Sequence, residues 1–271
     1  MSNHTITRIV GDQTSTFASD VTIQTLRELE LDSPVLLEGL PGVGHVGKLV
    51  AEHLIDTLCA TRIIDIYSTH FPPQVVVNED CTVRMVRNEI YAHHADDGSD
   101  LLILVGDHQS TTSEGHFLLC NAFLDIAEQF GVSRIYTLGG CPTGELEETG
   151  TVIGTVNNPK MVAELTLHGV EFQEHEPWTG IFGSSGILLP MSLERGIDAA
   201  CLMGTTSGYL VDPKSAQAVL GVLSQLLGID VDVQALEEHA AEMEKVIAKL
   251  QEMQQMYTSM NRTEDDLRYI G

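Results

Sequence analysis

Basic residues are scarce in this chain. Lysine and arginine number 14 against 39 aspartates and glutamates, a formal net charge of −25 over 271 residues. A surface that grips DNA or RNA needs a cationic footprint, and none is written here. Anionic membrane surfaces are disfavoured for the same reason. Such acidity suits solubility in high salt or a basic partner surface. Cysteine is also sparse. Cys59, Cys81, Cys120, Cys141 and Cys201 are scattered, odd in number and never arranged as CxxC. They therefore make neither a four-cysteine zinc site nor a disulfide framework, which fits a reducing compartment. No apolar run reaches membrane-spanning length, and the opening residues 1–13 lack the apolar stretch of a secretion signal. The expectation is a cytoplasmic protein with neither nucleic acid nor membrane as partner.

Catalytic motifs are missing as well. There is no HExxH, and the adjacent rings of His93 and His94 would point to opposite faces of a strand. Gly183-Ser184-Ser185-Gly186 is the nearest approach to a nucleophile elbow, but no apolar strand leads into it. Cys141 follows a strand end with no base assignable to it. No catalytic residue, metal site or cofactor is assigned from these patterns.

What is present is apolar patterning. The 43% apolar content supports a sizeable core, enough for one large domain or a domain with an appendage. Residues 1–30 read as an irregular or edge segment. Val35-Leu36-Leu37-Glu38 is a short apolar strand, followed by a glycine turn and a helix to about Cys59. Arg62–Ser68 is the next strand. Beyond Phe71-Pro72-Pro73 and Gln74–Val77, Thr82–Val86 and Asn88–His93 look like a hairpin pair. Leu101–Val105 is a continuous apolar run of the kind found in buried parallel strands.

A helix with 3.6-residue periodicity follows from Ser113 to Phe130, with Gly131 as its stop signal. Arg134–Leu138 and Ala199–Met203 return to the sheet, whereas residues 141–190 read as strands with long loops. Asp212-Pro213 opens a helix that ends near Gly228. The alternation predicts an α/β fold, a three-layer sandwich with a mainly parallel central sheet and a C-terminal helical extension. The expected divisions are an N-terminal segment (1–30), a core domain (31–230), a C-terminal helix (231–257) and a tail (258–271).

Gly42-Val43-Gly44-His45-Val46-Gly47 is literally GxGxxG, set between a strand and a helix. Read as a P-loop it fails, because Leu49 stands where a hydroxyl must meet magnesium. Read as a dinucleotide site it needs a ribose acid at the end of the next strand, but Asp65 lies in the middle of that strand. The remaining readings are close strand–helix packing or a small-anion nest at the helix N-terminus. A ligand nest would draw on Gly42, Gly44, His45, Gly47, Asp107, His108 and Gly140, the last three at strand ends. Asp107 and His108, with Glu114 and His116, form the one site-like cluster. An alternative role for such a nest is small-ligand binding or catalysis.

The last helix carries Leu236, Ala240, Met243, Ile247 and Leu250 at alternating spacings of four and three, a short heptad stripe. It suits packing on its own domain or on a second copy. The polar tail ends in Leu267-Arg268-Tyr269-Ile270-Gly271, an apolar–aromatic cluster suited to docking.

The run Leu37-Glu38-Gly39-Leu40-Pro41-Gly42-Val43-Gly44-His45-Val46-Gly47 resembles the opening signature of the PAC2 family, the proteasome assembly chaperone type. Phe71-Pro72-Pro73, Leu138-Gly139-Gly140, Gly186-Ile187-Leu188-Leu189 and the run Gly204–Ala216 resemble its later marks, so the resemblance covers roughly residues 32–250. It implies a phosphorylase-like α/β sheet and a homo-oligomer, trimer or tetramer. It also implies a non-catalytic assembly factor whose partners include proteasome α subunits. Family members of this kind engage them through a C-terminal hydrophobic–Tyr–any motif. Leu267, Tyr269, Ile270 and Gly271 stand at the corresponding end of this chain. Here, however, Tyr269 is third from the end rather than penultimate.

Overall fold

The apolar runs become the centre of a nine-stranded sheet. The computed structural model describes residues 20–78, 80–95, 100–144, 150–172, 180–208 and 211–232, together with Leu236. The strands are β1 (Val21–Thr25), β2 (Val35–Glu38), β3 (Thr61–Ser68), β4 (Val75–Val77), β5 (Val83–Met85), β6 (Asn88–His93), β7 (Leu101–Gly106), β8 (Arg134–Pro142), β9 (Val152–Val156), β10 (Val170–Glu171) and β11 (Asp198–Thr206). The helices are α1 (Val46–Thr57), α2 (Ser113–Gln129), α3 (Met161–Leu167), α4 (Ser184–Glu194) and α5 (Pro213–Leu227). The main sheet has the order β1-β3-β6-β7-β2-β8-β11-β9-β10, and β4 and β5 form a separate ribbon.

Each inner strand feeds both faces of the sheet. Leu101, Ile103 and Val105 of β7 join a core with Val46, Val50 and Leu54 of α1 and Val219, Leu220 and Leu223 of α5. Their neighbours Leu102 and Leu104 join the opposite core, with Leu119, Phe123 and Leu124 of α2 and Leu188 of α4. This two-sided burial explains the unbroken apolar sequence of β7, and each such side chain contributes about 1.5–3 kcal/mol.

The helix ends follow their sequence signals. The Thr112 side chain caps α2 by accepting from the Gly115 amide at 3.1 Å. Asp212 caps α5 by accepting from the Ser215 amide at 3.0 Å, and Gly228 closes that helix with φ 67°.

Three expectations need correction. First, the sheet is mixed rather than mainly parallel. Its centre is parallel, through β7/β2, β2/β8 and β8/β11. The ladders β1/β3, β3/β6, β6/β7 and β11/β9 are antiparallel. A parallel neighbour needs a long crossover, and the short return from β6 to β7 has none. Second, β5 pairs with β4, whereas β6 enters the main sheet between β3 and β7. Third, the region expected to hold strands and loops contains α3 and α4. Helix α4 carries Gly186 and Pro190 in its interior, residues that read as breakers. Within the expected N-terminal segment, β1 pairs along β3 as an edge strand of the sheet.

Candidate functional site

Ligands of α/β proteins bind beyond the carboxyl ends of parallel strands. That edge here gathers the glycine turn after β2, the end of β7, Gly139-Gly140 of β8 and the N-terminus of α4. The glycine turn is closed by packing. A Cβ on Gly47 would collide with the Leu138 carbonyl, one on Gly140 with the Val43 carbonyl, and one on Gly39 with the side chain of Ala51. Gly44 adopts φ 63° and its carbonyl accepts from the Asp212 amide at 2.8 Å. His45 follows at φ 51° with its side chain exposed, whereas Gly42 is extended. Gly44, Gly47 and Gly140 therefore come together, but they join α1 to β8 and β11.

Asp107 and His108 are engaged in holding the β4–β5 ribbon. Arg84 clamps the Asp107 carboxylate in two-point fashion at 2.5 and 2.8 Å, and the Arg87 amide donates to it at 3.1 Å. Burial pushes this carboxyl up, but the arginine and the amide outweigh it, and it lies below its ordinary range. The His108 ring hydrogen-bonds the Gln74 side chain. Glu114 is exposed, and His116 Nδ1 is buried without a hydrogen-bond partner. Of the cluster read from the sequence, Asp107 and His108 are thus tied to the ribbon and its approach, whereas among the described residues Glu114 and His116 make no such contact. Among the described residues, no group of three or more His, Cys, Asp or Glu side chains is placed to hold a metal ion.

Asp65 is buried in a charged lattice across β3 and β6. Arg62 lies 3.4 Å and Arg87 3.8 Å from its carboxylate, and both arginines also pair with Glu89, at 2.9 and 2.6 Å. Burial raises the Asp65 carboxyl despite these cations. The lattice accounts for an acid in the middle of an apolar strand.

Glu38 is the polar group that sequence reasoning passed over. It ends β2 fully buried, under the first turn of α4. Ser185 Oγ donates to one carboxylate oxygen at 2.8 Å, and the Leu40 amide approaches the other at 3.3 Å. Burial pushes its carboxyl up to about 7 against the pull of these two hydrogen bonds. Gln109 ties the same corner together, donating to the Pro41 carbonyl at 2.7 Å and accepting from the Ser184 amide at 3.0 Å. Burial also drives the thiols of Cys120 and Cys201 up to about 12, which keeps them from acting as nucleophiles near neutral pH. The available signal for Glu38 was a single carboxylate closing an apolar strand. Its meaning depends on α4, which the sequence pattern concealed.

The ribbon β4–β5 presents a different kind of surface. Val75 pairs with Met85, Val76 with Arg84, and Val77 with Val83. The middle pair faces the body of the protein. Val76 packs on the core and Arg84 reaches Asp107. The outer pairs share the other face, with Val75 52%, Val77 67%, Val83 63% and Met85 49% exposed.

Of the heptad positions, only Leu236 lies among the described residues, and it is buried in the α1/α5 core. Ala240, Met243, Ile247, Leu250, Leu267, Tyr269, Ile270 and Gly271 lie outside the described residues. Among the described residues, no helix is long and apolar enough to cross a membrane.

The described residues thus define an α/β protein in which Glu38, Asp107 and Gln109 are held by hydrogen bonds at the strand ends and one face of the β4–β5 ribbon is apolar and exposed. The PAC2 family signature matches residues 36–251, and the chain belongs to that family. Pyrococcus furiosus PbaB, described as an archaeal proteasome activator, is 35% identical over 86% of this chain and 99% of its own, with a TM-score of 0.81. An uncharacterised protein of Methanocaldococcus jannaschii is 34% identical over 94% of this chain and 99% of its own. Pyrococcus furiosus PbaA, described as an archaeal homologue of proteasome-assembly chaperone, shares the fold at 24% identity and a TM-score of 0.72. That match covers 92% of this chain and 99% of its counterpart.

Proposed function

We propose that this protein is a cytoplasmic, non-catalytic assembly factor that binds proteasome α subunits as a homo-oligomer of three or four copies. The observation that carries the reading is the 35% identity to PbaB over nearly all of that chain. The acidic composition supports it, because a charge of −25 suits a partner with basic surfaces. The helices on both faces of the sheet favour the finer description of a three-layer, phosphorylase-like sandwich. Leu267, Tyr269, Ile270 and Gly271 supply the docking tail, in which the ring fills an apolar pocket and the terminal carboxylate meets a basic one. The heptad residues Ala240, Met243, Ile247 and Leu250 contribute to contacts between copies.

The test is size-exclusion chromatography with light scattering, on the protein alone and mixed with purified 20S proteasome α subunits of the source organism. A co-eluting complex is expected. Deleting residues 267–271 should abolish it while leaving the fold and the homo-oligomer mass unchanged. Full binding by the truncated protein would remove the tail from the mechanism, and the absence of any complex with the full chain would overturn the reading.

A further inference from the structure

Solvated ribbons place polar side chains outward and apolar ones inward. The β4–β5 ribbon departs from this at every position except Val76, which packs on the core. Its one cation, Arg84, is turned inward and neutralised by Asp107, while four apolar side chains face solvent in two cross-strand pairs. Isolated exposed apolar residues are ordinary. The largest contiguous apolar patch on a protein surface is often a functional one. The short strands also lack the outward lysine that guards exposed ribbons against unwanted pairing.

The patch is firmly mounted. Arg84 and Val76 hold its underside, Gln74 is tied to His108, and the Thr111 amide bonds the His70 carbonyl ahead of β4 at 2.9 Å. A surface held this way loses little conformational freedom on binding.

The charge around the patch selects the occupant. Asp80, at the ribbon turn, is an exposed carboxylate. The neighbouring Arg87 is engaged by Glu89 and Asp65. Lys48, whose charge acts on Asp107, is paired with Glu52 at 3.5 Å, so with Arg84 and Arg87 also engaged the exposed charge at the ribbon turn is that of Asp80. A second copy docked ribbon to ribbon brings the same carboxylate, Asp80, to the contact. Ribbon-on-ribbon contact would also fall well short of the ~800 Å² per partner of a stable interface.

We propose that the outward face of β4–β5, formed by Val75, Val77, Val83 and Met85, is a docking surface for a partner protein's apolar segment flanked by lysine or arginine. This deepens the assembly-factor reading and rests on it for the partner's identity. The surface is separate from the C-terminal tail.

The experiment measures binding of full-length protein and the double variant Val77→Asp/Val83→Asp to purified 20S proteasome α subunits. Circular dichroism and light scattering check the fold and mass. At least a tenfold loss of affinity is expected with both unchanged, and the wild-type complex should weaken between 0.05 and 0.5 M salt. Equal binding by the two proteins would overturn the docking surface and leave the assembly-factor reading standing. A drop in homo-oligomer mass would also overturn it, because the occupant would then be a second copy. If the double variant misfolds, Val77→Thr/Val83→Thr replaces it, with a loss of at least threefold expected. If wild type binds no α subunit, the assembly-factor reading fails. The surface is then judged by titrating a lysine-flanked, valine-rich peptide, where wild-type binding lost in the variant supports it and equal responses overturn it.

Discussion

Two loops rise from the same edge of the sheet and treat their side chains in opposite ways. The glycine turn between β2 and α1 looks like a ligand motif, yet Gly39, Gly44 and Gly47 lie against Ala51, Thr206 and Leu138. The β4–β5 ribbon matches no motif, yet it holds its apolar face outward and its arginine inward. A glycine pattern reports where backbones approach closely, and that is shared by ligand nests and by tight strand–helix packing. Side-chain alternation reports which face meets water, and an inverted alternation is the rarer signal. In this protein, Gly39, Gly47 and Gly140 sit where backbones pack closely, and the ribbon holds four apolar side chains exposed.

The comparison is tested most severely inside the glycine turn. Gly47→Ala places a methyl group against the Leu138 carbonyl, a backbone atom in the sheet. A loss of about 3 kcal/mol or more is expected from such overpacking. Gly42→Ala meets nothing closer than 4.0 Å, at the Leu40 carbonyl, and its extended φ of −151° suits alanine. Its effect should stay within about 0.5 kcal/mol. Urea denaturation of both variants gives the contrast. Equal effects would show that the turn does not distinguish packed from free glycines.

The legible parts of the fold were those with long periods or strong caps. Helix α2 carries its period over several turns and ends before Gly131, and α5 announces itself with Asp212-Pro213 and stops at Gly228. The three-residue strands β4 and β5 contain too little pattern to show which neighbour they pair with. Helix α4 was hidden because Gly186 and Pro190 oppose local helix propensity, and tertiary packing overrides them. A Cβ on Gly186 would strike the Ile181 carbonyl, so the glycine is needed for the approach. Of the site, the nearness of Gly44 and Gly47 to Gly140 was readable from a glycine turn that follows one strand and a glycine pair late in another. The roles of Asp107 and His108 were not, because their partners Arg84 and Gln74 lie in the insert between β3 and β6.

The closed corner should also respond to pH in its own way. Burial raises the Glu38 carboxyl from its ordinary 4.5 to about 7 in the folded chain. Below pH 4.5 the carboxyl is neutral whether the chain is folded or unfolded, and it imposes no penalty. Between 4.5 and 7 the unfolded chain releases a proton that the folded chain retains, so stability falls as pH rises. The full cost, up to roughly 3 kcal/mol, is reached above 7. Glu38→Gln keeps the shape and cannot ionise. Its stability relative to wild type should therefore rise across this window and level off above it. Denaturant titrations at pH 4.5, 6 and 8 measure the difference, and a constant offset between the two proteins would show that Glu38 does not titrate there.

Asp107, under the ribbon, has the opposite sign. Its folded pKa is held below the ordinary 3.8, so its contribution is present above that value and is lost as pH falls through the folded pKa. Arg84→Ala should cost about 1–2 kcal/mol at neutral pH, between the values for exposed and buried pairs. The Arg87 amide still satisfies part of the abandoned carboxylate, which limits the loss. The cost should shrink only as pH falls through the folded pKa, below 3.8, where the wild-type carboxylate is protonated too. Hydrogen exchange adds a spatial readout. Protection should fall at amides in residues 75–85, while β2 and α1 keep theirs, because the ribbon is a separate two-stranded sheet fastened through Arg84. Exchange that rises equally in both loops would mean that they are one cooperative unit, and the ribbon could not then be treated as an independently mounted surface.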